Sequence, residues 1–422
     1  MKNRLLTKTV LACTISFALG TVAAAPYEVV DLGKLSGDRS TAQGINSLGD
    51  IIGEANGAIN EDTGLREFGA HAVKFQNPNQ DLGSFVDNFS SVAIGLNDAG
   101  IIVGYGVDEI TITDSEGNEF TSAQEFAAVF SDTGPQKLAS MDTLGGSRAL
   151  NINNHSFIVG FGSLDVDPDD TVASVDRGFV YNLNTQEYVH FITPFTDETN
   201  LVSYATSIND NNNVVFWAHN ERDDGFFEFK SGFFNIADTT QITTLPMLAG
   251  AATYAQDINN NDIVVGNAFH SVNNTRSVAF KFDVNNDTAL VELGFFRSDF
   301  NDSLANAIND SNQIVGRALA SSPVLGVYNA FIYEENQLKN LNDLIPCNSG
   351  WVLTDARDIN NEGKIVGYGV KDGEVRAFLL NPTGGTIENC DTEEPSDNGG
   401  GSIPVALLAV LALFGLKRRI KK

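Results

Sequence analysis

Histidine, cysteine and positive charge are all scarce in this chain, and each scarcity closes off a class of function. The five histidines in 422 residues, His71, His155, His190, His219 and His270, are scattered, with no pair at metal-ligand spacing, so the common histidine-based metal motifs are excluded. Three cysteines form no Cys-x-x-Cys pair, which removes the usual redox and zinc signatures. There is neither a Gly-x-Ser-x-Gly nucleophile elbow nor a Gly-rich phosphate loop,. Against 26 Lys and Arg stand 54 Asp and Glu, a formal net charge of −28. Eight of the basic residues lie in the first 25 and last 22 positions, where there are no acids, so the body between is more acidic still. Such a body repels nucleic acid and anionic lipid and stays soluble. Most of its carboxylates read as a solvated surface rather than a binding site.

What the chain has in abundance is one short stretch written seven times. Anchored on its asparagine, the copies fall at Asn46, Asn97, Asn153, Asn209, Asn259, Asn309 and Asn360, spaced 51, 56, 56, 50, 50 and 51 residues apart. An alanine stands four residues before each anchor, from Ala42 to Ala356, and an Ile or Leu directly precedes it. Five and six residues after the anchor both positions are β-branched, from Ile51 and Ile52 to Ile365 and Val366. A glycine follows at the seventh position except in the fourth copy, which has Phe216 and then Trp217. The anchor starts a tight turn, because a short side-chain oxygen can take backbone N–H groups two residues on. Three residues past it stand Gly49, Gly100, Asn212, Asp262, Asn312 and Gly363, types that tolerate a left-handed backbone; Ser156 alone departs,. The unit is a β-hairpin whose paired β-branched residues point to opposite faces of the second strand, so both faces are buried.

A third apolar segment follows each hairpin, as at residues 330–333 and 377–380, and a closing strand follows that, as in Asp81-Leu82-Gly83 and Glu292-Leu293-Gly294. Four strands per period result. The seventh period ends without its closing strand, whereas residues 27–35, with Asp31-Leu32-Gly33, open the body with one. That complementarity favours a ring over a solenoid, which needs caps at both ends. The expectation is an all-β fold, a seven-bladed β-propeller of four-stranded blades closed by an N-terminal strand that completes the last blade. Two stacked β-sandwich domains are the alternative. The alternation Ile359-Asn360-Asn361-Glu362-Gly363 with Ile365-Val366-Gly367, then Ala377-Phe378-Leu379 and the Asp-Leu-Gly strands, resembles the HAF repeat of bacterial extracellular proteins. Over residues 27–382 the chain resembles a family of uncharacterised secreted proteins that carry this repeat. The resemblance implies a secreted repeat protein and no particular activity.

The termini carry the addressing information. Residues 1–25 read as a secretory signal: Lys2, Arg4 and Lys8, an apolar run, then small residues that place a signal-peptidase cut after Ala24 or Ala25,. An uncleaved anchor is the alternative. Cys347 and Cys390 are the only cysteines left after that cut, and in an oxidising compartment they are expected to pair,. Residues 391–402 are a flexible polar linker containing Gly399, Gly400 and Gly401,. Residues 403–416 are apolar apart from Pro and Gly, short for a spanning helix, and a basic tail follows at 417–422,. Linker, glycine run, apolar segment and tail together resemble the GlyGly-CTERM sorting signal of Gram-negative bacteria. That resemblance implies tail removal by a rhomboid-type intramembrane protease and delivery of the body to the cell surface or medium. A permanent membrane anchor is the alternative.

No residue pattern names a ligand. The stretches between second and third strands differ most among the copies, notably residues 105–125 and the acidic run Asp165, Asp167, Asp169 and Asp170. Alternating aspartates can supply the oxygen ligands calcium wants, but Pro168 interrupts them and a solvated turn is the plainer reading,. Phe216 and Trp217 mark the copy that departs most from the pattern. The functional expectation is an exported, surface-displayed or secreted binding module for a glycan, protein or matrix, without a cofactor. The alternative is an extracellular polysaccharide hydrolase or lyase using carboxylates in the channel.

Overall fold

The structure, a computed structural model, describes residues 24–387 apart from 60–61, 63, 65, 114–116, 139–145, 165–174, 194, 196–201, 222–226, 249–251, 271–275, 298–301 and 321–325. Each repeat forms a four-stranded antiparallel sheet, and the seven sheets stand as blades in a ring. The innermost strands are Ser40–Ile45, Ser91–Leu96, Ser147–Ile152, Ser203–Ile208, Thr253–Ile258, Ser303–Ile308 and Trp351–Ile359. Each touches the next, and the last touches the first. Blade 7 takes three strands from the end of the body, and its outermost strand is Tyr27–Asp31 from the start. That strand lies antiparallel to Glu374–Pro382, with Tyr27 opposite Pro382 and Asp31 opposite Phe378. Arg376 and Lys371 reach the Asp31 carboxylate at 3.1 and 3.3 Å. The pairing continues upstream, where Thr383 and Thr386 donate backbone N–H groups to the carbonyls of Pro26 and Ala24.

The β-branched pair explains how so long a chain packs without one large core. Ile51 sits in the apolar cluster between blades 7 and 1, with Val366 and Ala377, whereas its neighbour Ile52 sits between blades 1 and 2, with Ala93 and Ile102. Adjacent residues on a strand face opposite ways, so one dipeptide feeds two cores. Seven such clusters fill the ring. The alanine of each copy is fully buried and lies opposite the motif glycine, as with Ala42 and Gly53, or in the fourth copy opposite Phe216. A Cβ on Gly53 would come within 2.0 Å of the Thr41 carbonyl oxygen, so the strand spacing itself demands glycine there,.

Blade 4 solves the same problem in reverse. In blades 3, 5, 6 and 7 the motif glycine pairs with a phenylalanine on the third strand: Gly160 with Phe179, Gly266 with Phe280, Gly316 with Phe331, Gly367 with Phe378. In blade 4 Phe216 pairs with Gly232. The ring has changed strands and the glycine has moved the other way, for a Cβ on Gly232 would lie 2.4 Å from the Phe216 ring. Phe216 is fully buried in the core between blades 3 and 4.

One segment differs from expectation. Residues 105–125, expected to lie between the second and third strands, continue the hairpin instead: Ile102–Thr113 pairs with Glu119–Ser131 out to Thr113 opposite Glu119. The β-branched run Ile110-Thr111-Ile112-Thr113 has strand propensity enough to outweigh its acidic neighbours.

Candidate functional site: the mouth of the central channel

The seven asparagines are more than turn formers. In every copy the Asn Oδ1 accepts two backbone N–H groups of its own turn, for Asn360 those of Glu362 and Lys364, both at 3.1 Å. In every copy the Nδ2 also donates to the backbone carbonyl of the next anchor, at 2.9 to 3.1 Å. The last of these bonds runs from Asn360 to Asn46 and closes the belt. All seven side chains are buried. All seven residues three past the anchors take positive φ, Ser156 at 65° included. The belt therefore fixes the inner ends of the blades at one level of the ring.

Just upstream of each anchor the innermost strand carries a β-bulge. The pairing register slips between the motif alanine and the residue two before the anchor in every blade, as between Ala42 and Gly44 and between Ala255 and Asp257. A bulge leaves its extra residue unpaired and re-aims that side chain. The seven bulged residues are Gln43, Ile94, Leu150, Thr206, Gln256, Asn306 and Arg357, and all of them line a single cavity of about 410 Å³ on the axis. Gly44, Gly95, Asn151, Asp257, Ala307 and Asp358 line it beside them. A second cavity, of about 200 Å³, lies at the belt and shares Leu96, Asn151 and Asp257 with the first. Both motif positions vary among the copies, and their residues converge on the axis.

The waist of the channel is polar. Asn151 Nδ2 donates to Ser207 Oγ (3.1 Å), which donates to Asp257 Oδ1 (2.7 Å), and Asp257 Oδ2 accepts from the Ile308 backbone N–H of the next blade (2.9 Å). Asp358 repeats the tie across the seam, accepting from Ile45 and from Ile359, each at 2.8 Å. Burial pushes both carboxyls up; for Asp358, which also feels the charge of Asp257, to about 7. Asp355 is fully buried and receives Asn306 Nδ2 at 2.7 Å, with Arg317 and Arg357 at 3.5 and 3.6 Å. Burial outweighs the two guanidiniums, and its carboxyl too is raised.

Farther from the belt the wall divides into two arcs. Glu54, Tyr105 and Arg148 continue the cavity through blades 1 to 3, and Arg148 forks onto Glu125 (2.5 and 2.8 Å) while lying 4.4 Å from the Tyr105 ring centroid. At the matching strand positions of blades 3 to 5 stand aromatics. Tyr204 meets Phe161 at 4.5 Å between ring centroids and stacks on Trp217 at 4.2 Å; Trp217 meets Tyr254 edge-on at 5.1 Å and Phe229 at 5.7 Å. Such offset and edge-on contacts are the favourable aromatic geometries. These five rings are half-buried, so the arc keeps an accessible edge.

The residues singled out in the sequence fall differently. Phe216 lies in the core with no surface to offer, whereas Trp217, next to it on the strand, is half-buried against Tyr204, Tyr254 and Phe229. Asp165, Asp167, Asp169, Asp170, Cys390, Gly399, Gly400 and Gly401 lie outside the described residues. Cys347 is disulfide-bonded. Ala25 is buried, and its carbonyl accepts the Thr383 hydroxyl. Among the described residues no group of three or more His, Cys, Asp or Glu is placed to hold a metal ion. The bulge residues and the buried acids Asp257 and Asp358 were not singled out in the sequence, where the positions two and four past the anchor vary as freely as they do.

A family profile described as "Protein of unknown function (DUF3466)" matches residues 248–384. No curated protein matches the chain. Among solved structures, Trypanosoma rangeli sialidase is similar with a TM-score of 0.35 and 10% identity over 66% of this chain and 60% of that one. The same sialidase in complex with 2,3-difluorosialic acid gives 0.39 and 12% over 86% and 59%. A gluconolactonase from Xanthomonas campestris gives 0.35 and 7% over 87% and 93%. The chain thus spans about three fifths of the sialidase chains it matches. With TM-scores below 0.5, none of these likenesses bears on the functional reading.

Proposed function

We propose that the chain is an exported binding module of the HAF-repeat kind, displayed on the cell surface or secreted, which receives a glycan or protein ligand at the mouth of its central channel. One observation carries this reading: the seven bulge residues, which vary among the copies, converge on one cavity while the constant positions of the motif are spent on turns and blade contacts. Repetition builds the ring and departure from repetition furnishes the site. The acidity of the body sets nucleic acid aside as a partner,.

Processing belongs to the same proposal. Signal peptidase would cut after Ala24 or Ala25,. Cys347 would pair with Cys390, and a rhomboid-type protease would release the body near Gly399, Gly400 and Gly401 in a Gram-negative host. Mass spectrometry of the mature protein tests all three points: an intact Lys422 refutes the sorting step, and a first residue other than Ala25 or Pro26 refutes the cut.

A second reading, a polysaccharide hydrolase or lyase, has Asp358 in its favour, a carboxyl pushed up to about 7 on the wall of the cavity. Such a value suits a general acid. Against it, the oxygens of Asp257 and Asp358 are engaged by main-chain N–H groups of their own and the following blade, which makes them ties between blades. The deciding experiment screens the secreted body on glycan and protein arrays and for polysaccharide degradation, with and without calcium. Saturable binding without product release is expected; release of shortened saccharide overturns the binding reading.

A further inference from the structure

We infer that the ligand of the channel mouth is an uncharged saccharide; this rests on the binding reading above and narrows it to one chemical class. Arg148 is forked by Glu125, Arg317 and Arg357 flank the buried Asp355, and Glu54 takes the Thr41 hydroxyl (3.2 Å) and Arg39 (3.5 Å). Arg148 therefore has a carboxylate of its own, Arg317 and Arg357 share that of Asp355, and the whole body is acidic, so the field around the mouth disfavours an anion,. A cation would find Glu54 and Asp355 engaged in the same way.

What stays open is neutral and directional. The Gln256 amide lines the cavity with no partner among the described residues. Gln43 makes only a 3.3 Å bond to the Thr41 hydroxyl, and the Thr206 hydroxyl, which donates to the Ala255 carbonyl at 3.0 Å, keeps its acceptor side on the cavity. Primary amides offer a donor and an acceptor side by side, which is what a pair of vicinal hydroxyls requires. Beside them runs the arc of Tyr204, Trp217 and Tyr254, half-buried and continuous. An aromatic platform next to amides matches a molecule with a C–H face and a hydroxyl edge, the two surfaces of a pyranose ring. The cavity of about 410 Å³ lies within the range of small-ligand pockets, roughly 300 to 1,000 Å³,.

The test uses the mature secreted protein carrying Trp351→Phe, which leaves Trp217 as its one indole. Neutral hexose and N-acetylhexosamine oligomers, and uronic-acid oligomers of equal length, are titrated against tryptophan emission and by calorimetry. A neutral oligomer is expected to shift the emission saturably. Gln256→Ala and Gln43→Ala are each expected to weaken it by about tenfold without moving the thermal midpoint. If no neutral oligomer binds, or if both variants bind as tightly as their parent, the inference is overturned. If uronic-acid oligomers or a protein bind instead and the two variants weaken them, the saccharide inference fails while the channel-binding reading stands. Binding that neither substitution touches sinks both.

Discussion

At the scale of single residues, the anchor asparagine is where local and long-range demands meet. Its acceptor half is legible in sequence, because the turn it closes lies within four residues. Its donor half is not, because the carbonyl it reaches lies about fifty residues away, and only the ring brings the two together. Asn360→Ala removes two turn bonds and the seam bond to Asn46, and leaves buried groups unpaired. Urea denaturation is expected to show a loss of about 3 kcal/mol. Ser156 is the converse case: the sequence flagged it as the one residue type unsuited to its turn, yet it takes the same left-handed backbone as the other six. Ser156→Gly relieves that strain and should stabilise the chain by about 1 kcal/mol in the same assay. Asp358 adds a pH dependence. Its carboxyl is raised in the folded state above its ordinary value of 3.8, so it binds its proton more tightly folded than unfolded. The stability it contributes is full below about pH 4 and is lost as pH rises through about 7. The melting temperature of the native chain, measured against Asp358→Asn from pH 4 to 8, should fall relative to the variant across that window. A constant gap would mean that the group does not titrate there.

At the scale of the strand and blade, period and hydrophobic pattern made the fold readable: four apolar segments per period, a turn signal in each copy, and one strand displaced from the end to the start. Two things escaped, both for want of register. The bulge that turns Gln43, Thr206 and Gln256 to the axis has no composition of its own, since it is a slip in pairing between strands. The exchange of Phe216 with Gly232 likewise emerges only once the two are known to lie opposite each other. It yields a double-mutant cycle. Phe216→Gly alone empties a core site and should cost about 4 kcal/mol, and Gly232→Phe alone overpacks it at about 1 to 3 kcal/mol. Together they restore the arrangement of the neighbouring blades, so the double variant should be more stable than the sum of the two by at least about 2 kcal/mol, read from chemical denaturation. Additive losses would show that blade 4 has diverged in more than this pair.

At the scale of the whole ring, closure rests on a strand of five residues from the other end of the body. Deleting residues 26–31 strips the partner from Glu374–Pro382 and removes Tyr27 and Val29 from their apolar cluster. The expected result is a broad, low-midpoint unfolding transition by circular dichroism, sharpened again when a peptide of residues 24–35 is added. The asparagine belt has a further consequence for how such a ring is made. Every bond in it runs the same way round, from the amide of one blade to the carbonyl of the next, so the belt has a direction. A chain whose first and seventh blades have not yet met therefore bears an amide at one end and a matching carbonyl at the other. Two unclosed chains are complementary head to tail, and refolding at high concentration should divert material into exchanged oligomers that dilute refolding avoids. The geometry that locks the finished ring thus makes its last step a competition between a molecule's own far end and its neighbour's.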